Sequence, residues 1–158
     1  MRLLPLICVV LLLGCAKSKP PASESAATGG TGAAVATLSL ADVAGTWEGP
    51  VLAAGTDTVL TNVVLIATTE PTGWTMKVTN AKLPARTALV TDLRVAADGD
   101  SVIVDAGPYP SVLREGQQVT THGVYRLQDG KLRGEIRASY PASGETIMLR
   151  SAMMKKAG

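Results

Sequence analysis

The sequence predicts an all-β fold, an eight-stranded antiparallel up-and-down barrel, from three observations. Residues 131–140 alternate strictly: Leu132, Gly134, Ile136, Ala138 and Tyr140 share one face, and Lys131, Arg133, Glu135, Arg137 and Ser139 the other. A period of two over that length is a strand with one wet side. The connections Pro71-Thr72-Gly73, Asp98-Gly99-Asp100, Gln128-Asp129-Gly130 and Pro141-Ala142-Ser143-Gly144 carry the residues that short hairpins need. No repeat of about 20 to 50 residues runs along the chain, which sets solenoids and propellers aside.

The first element is an address. Arg2 supplies a positive start, and Leu3 to Leu13 is an apolar run of 11 residues. A span needs about 20 residues to cross a hydrocarbon core, so this run reads as a signal-peptide segment. Leu12-Leu13-Gly14-Cys15 closes it and resembles the lipobox of bacterial lipoproteins. The resemblance implies cleavage before Cys15 and a thioether-linked diacylglycerol on its thiol. Two or more acyl chains make attachment lasting, where one holds only marginally. In that family an Asp after the lipidated Cys retains the protein in the inner membrane. Ala16 stands there in this chain, so the implied location is the cell envelope, at the outer membrane where the cell has one.

Residues 1–14 are thus expected to be removed, and 15–37 to be the lipidated Cys and a disordered linker. Lys17 to Thr37 holds Val35 as its only branched aliphatic residue, too little apolar surface to offset the entropy of ordering. Its r.m.s. span is roughly 25 Å. Cys8 goes with the signal and Cys15 is consumed by lipid, so the mature domain has no thiol for a disulfide, a thiolate metal site or a nucleophile. Losing Arg2 leaves 14 basic residues against 13 acidic ones. That balance gives no electrostatic footprint for nucleic acid.

The domain is expected over 38–152, with 153–158 as a tail. A short helical turn at 38–44 precedes strands at 45–52, 58–69, 73–80, 87–97, 101–106, 118–127, 131–140 and 145–152. Eight sequential strands on short links favour a meander, and closing it removes exposed edges. A two-sheet β-sandwich is the alternative. By alternation the inward set includes Trp74, Met76 and Val78, then Leu89, Leu93 and Val95, then Tyr125, Leu132, Ile136 and Tyr140. The longest connection, 106–117, holds Tyr109 between Pro108 and Pro110, a stiff loop suited to a lid or a contact site.

Gly45-Thr46-Trp47, on the first strand after a helical turn, is similar to the Gly-x-Trp signature of the calycins, the group of lipocalins, fatty-acid-binding proteins and avidins. In that group a basic residue of the last strand packs over the tryptophan where the barrel closes, and Arg150 matches by position. The resemblance implies an enclosed cavity for a small apolar ligand. The domain contains no Phe, and small inward side chains leave room for such a cavity, with Trp74, Met76, Leu93, Tyr125 and Tyr140 as its lining. The alternative is a filled barrel acting as an envelope interaction or structural protein.

Catalysis ranks last. His122, the only histidine, alternates with Thr120, Val124 and Arg126 and points outward, with no orienting carboxylate indicated nearby. Asp98 and Asp100 flank a turn glycine without calcium-loop spacing. Ser101, Ser111 and Ser143 sit in turns without a nucleophile elbow, and no Gly-rich phosphate loop is present. No cofactor and no metal is expected.

Overall fold

The computed structural model describes residues 37–157. The signal segment, Cys15 and the spacer up to residue 36 lie outside the described residues. Helix α1 (Leu40–Val43) opens at Ser39, whose backbone N–H and hydroxyl both donate to Asp42 Oδ2, at 2.8 and 2.7 Å. An acid in the first turn is stabilised there by the unpaired N–H groups. Ala44 then returns to extended geometry and leads into the first strand.

Among the described residues nine strands follow: β1 (Gly45–Ala53), β2 (Val59–Ala67), β3 (Thr75–Asn80), β4 (Thr87–Val90), β5 (Leu93–Asp98), β6 (Ser101–Pro110), β7 (Gln118–Gln128), β8 (Lys131–Tyr140) and β9 (Glu145–Lys155). They form one sheet in the order β4-β3-β2-β1-β9-β8-β7-β6-β5, every neighbour antiparallel. The sheet is one continuous meander whose edge strands β4 and β5 meet at a seam, with β4 close to β6, so it curls into a nearly closed barrel and not a two-sheet sandwich. The tightest turn has the chemistry read from the sequence: Asp129 (φ 52°) and Gly130 (φ 71°) both adopt left-handed geometry between the paired Gln128 and Lys131, as a two-residue type I′ hairpin requires.

The ninth strand arises from a break. The stretch 87–97, expected as one strand, is interrupted at Thr91-Asp92 into β4 and β5. Counting alternate directions around the sheet, β4 and β5 run the same way. They are two halves of one barrel stave, the first paired with β3 and the second with β6. The expected eight staves are therefore present, and the seam beside the break is nearly closed. The interruption also shifts the alternation by one residue: Ala88 and Val90 are buried before it, Leu93 and Val95 after it. Leu89, expected inside, is 69 % exposed.

Two boundaries differ as well. β6 continues to Pro110, so the connection shrinks to 111–117 and Tyr109 lies on a strand, paired with Val119 beyond a register shift. Pro108 and Pro110 have no N–H, which suits the part of β6 that has no β5 partner. β9 continues to Lys155, because Leu149, Ser151 and Met153 keep alternating inward. The first half of the expected 153–158 tail, 153–155, is therefore strand. α1, the 68–74 connection and the hairpins at 99–100 and 129–130 gather at one end, the base. The connections 54–58, 81–86, 111–117 and 141–144 gather at the other, the mouth.

Candidate functional site

The base is closed by aromatic and aliphatic packing. Trp47 is 2 % exposed, and its Nε1 donates to the Val43 carbonyl at 2.7 Å, which ties the first strand to a fully buried residue of α1. Trp74 is equally buried and donates Nε1 to the Glu70 carbonyl at 2.8 Å. Buried indoles with their N–H groups satisfied are core residues at low cost. The cation beside Trp47 is Lys155, whose Nζ lies 5.6 Å from the ring centroid. Arg150, expected there, pairs with Leu52 near the mouth and donates to the Thr56 carbonyl and Asp57 Oδ1, each at 2.7 Å. The strand is longer than expected, so the residue that reaches the base sits five positions further on.

The side chains expected to line a ligand cavity all point inward, but they do not share one space. Trp74, Met76, Leu93, Tyr125 and Tyr140 are all buried. They are spread from base to mouth and belong to the same buried cluster as Leu65, Leu132 and Met153. Burial pushes the Tyr125 phenol well above its ordinary range, and that of Tyr109 upward too, so both stay neutral. A small pocket of about 40 Å³ lies under the mouth, bordered by Thr61, Val78, Tyr109, Val112 and Tyr140 among others. Of the five expected lining residues, Tyr140 alone touches it. Pockets that hold drug-sized ligands run from about 300 Å³.

The connection 111–117 is drawn over the mouth. Val112 is buried, and its carbonyl accepts from Asn80 Nδ2 at 2.8 Å. Ser111 Oγ accepts from the backbone N–H groups of Leu113 and Arg114, at 3.2 and 3.0 Å, folding the connection on itself. Arg114 lies 4.0 Å over the Tyr140 ring and forms two hydrogen bonds to Glu145, at 2.8 and 2.5 Å. That pairing holds the Glu145 carboxyl below its ordinary value. Arg86 pairs with Glu115 on the same rim.

A second feature is on the outer wall. Register places Arg94 opposite Asp105, Asp105 opposite His122, and His122 opposite Arg137, one row across β5 to β8. His122 Nδ1 is 2.7 Å from Asp105 Oδ1. The sequence showed His122 facing outward, as it does, but not this carboxylate, because the shift in the β6–β7 pairing hides which residues meet. Thr120, Thr121 and Ser139 border the same shallow groove of about 260 Å³. Elsewhere Asp98 pairs with Ser101 across a hairpin turn, and Asp100 accepts from Ser101 and Arg126. Among the described residues no helix is long and apolar enough to cross a membrane, and no cluster of three metal-ligating side chains occurs. Comparisons with protein-family models, with curated proteins and with solved structures found no match to this chain.

Proposed function

We propose that the chain is a lipid-anchored protein of the bacterial cell envelope whose filled barrel serves as an interaction or structural module. The observation that carries the choice between the two expected roles is the packed interior. Trp47, Trp74, Tyr140, Leu65, Leu132 and Met153 are each about 1–2 % exposed, and the pocket under the mouth is only about 40 Å³. That is room for water-sized molecules, whose share of liquid volume is about 30 Å³. A fatty acid or sterol would have to displace core side chains.

The anchor rests on Arg2, the apolar run and Leu12-Leu13-Gly14-Cys15. Support for the calycin resemblance comes from the base, where a short helix, the Gly45-Thr46-Trp47 strand and a last-strand cation meet, with Lys155 in that cation's place. The partner is the membrane through the N-terminal lipid; nucleic acid is not among the partners proposed.

Metabolic labelling with a fatty acid, followed by fractionation of the envelope, tests the reading. The intact chain should carry label and sediment with membranes. Cys15→Ala should lose the label and yield an unprocessed or soluble product. Label that persists on Cys15→Ala would remove the lipoprotein assignment.

A further inference from the structure

We propose that the groove across β5 to β8, with Arg94 and Arg137 on either side of the His122–Asp105 pair, binds a phosphate group, independently of what the barrel interior holds. The pattern of ion pairing singles this place out. Among the described residues, Arg86, Arg114, Arg126 and Arg150 each have a carboxylate partner. Among the described residues Arg94, Arg133 and Arg137 have no carboxylate within 4.0 Å, and two of these three border one groove.

The carboxylate in that row is already engaged. Asp105 stands directly between Arg94 and His122 in register, yet its Oδ1 is 2.7 Å from His122 Nδ1. Holding Nδ1 leaves Nε2 as the ring's free polar atom. The row therefore offers two guanidinium forks, with the hydroxyls of Thr120 and Ser139 beside them and the His122 ring between them as an adjacent reporter. Guanidinium forks match the oxygen spacing of phosphate, and charge-assisted bonds to it are about twice as strong as neutral ones. A tetrahedral anion has oxygens enough to meet donors arriving from both ends of a row.

The backbone makes the groove concave. β6 bulges at Gly107, where the pairing with β7 shifts between Ala106 and Tyr109. Gly107 has φ 103°, and a side chain there would run into the Val119 carbonyl. Bulges of this kind bend a strand and re-aim its side chains. The phosphate could come from a lipid headgroup or from a soluble phosphoester, and the chemistry of recognition is shared.

His122 is the only histidine of the chain, so its imidazole gives a single reporter signal. The full-length chain, in a maltoside detergent at constant pH and ionic strength, is titrated with inorganic phosphate while the His122 ring resonance is followed. Saturable movement is expected. Arg94→Gln and Arg137→Gln should each weaken it roughly tenfold, the loss of one charged hydrogen-bonding partner. Arg133→Gln, outside the groove, should leave it unchanged. In a second arm the chain is placed in phosphatidylcholine nanodiscs with and without phosphatidylglycerol, free of added phosphate. Movement that needs phosphatidylglycerol and Arg137 identifies a headgroup; movement with inorganic phosphate alone identifies a soluble phosphoester. No saturable movement in either arm, equal movement with chloride, or equal weakening by Arg133→Gln would overturn the proposal.

Discussion

The ring of Tyr125 crowds the space in which a side chain on Gly134 would begin: a β-carbon built at Gly134 would clash with Tyr125 Cδ1 and Cε1. The two residues are direct cross-strand partners on β7 and β8. Gly123, two residues before Tyr125, gives room on the other side, since its β-carbon would lie 2.5 Å from Tyr125 Cε2. A large ring thus lies flat against glycine backbone on two strands, and the pair acts as one piece of core.

Gly134→Ala is therefore expected to destabilise the domain by about 1–3 kcal/mol, the usual cost of overpacking. Tyr125→Leu should cost stability alone but lessen the penalty of Gly134→Ala. Urea titration of the single and double variants measures the coupling. Strict additivity would show that the ring and the glycine do not compete for the same space.

At the base, Trp47→Ala should cost about 3–5 kcal/mol, as deletion of a large core side chain does. Lys155→Ala should cost about 0.5–1 kcal/mol through the lost contact with the indole and alter Trp47 emission. Arg150→Ala should leave that emission unchanged, because its guanidinium is bound to Thr56 and Asp57. An emission change in Arg150→Ala and not in Lys155→Ala would reverse the assignment.

The rim pair sets a pH dependence. Arg114 holds Glu145 below its ordinary value of 4.5, and hydrogen bonds from Ser101 and then Arg126 hold Asp100 below 3.8. A lowered carboxylate contributes stability above its unfolded value and loses it as pH falls through the folded value. The stability gap between the wild-type chain and Glu145→Gln should be fully present above the ordinary value of 4.5 and close as pH falls through the lowered folded value. Urea midpoints across that range test it; a gap that persisted in acid would point to packing instead of charge.

A filled interior makes a further prediction. Fatty acids, sterols and aromatic compounds should give no saturable change in Trp74 emission, and purification from cells should bring no bound small molecule with the chain. A saturable response that Trp74→Leu removes, with the domain still folded, would restore the ligand-holding role.

Much of this was legible because period two is a strong signal where both faces keep their polarity. Lys131–Tyr140 shows it in every residue, and its strand has the expected bounds. The signal failed where the backbone breaks phase. Leu89 was placed inside because counting ran through Thr91-Asp92 as if the strand were continuous. Lys155 was missed although Met153 extends the inward alternation to its neighbourhood. The Asp105–His122 pair was out of reach for another reason. Alternation assigns each residue a face, but partners on adjacent strands depend on the bulge after Ala106, which shifts the pairing without altering the polarity pattern.

The break at Thr91-Asp92 also divides the chain for assembly. On one side, β1 to β4 zip as a meander of sequential hairpins; on the other, β5 to β9 do the same. Among the described residues no ladder joins β4 to β5, and the β1–β9 ladder is the one strand pairing between the two meanders. Such local zippers form before the long-range join, whose loop-closure entropy is far larger. A chain cut between Thr91 and Asp92 would leave every ladder intact within or between its two pieces, so complementary halves cut there are expected to reassemble into the barrel.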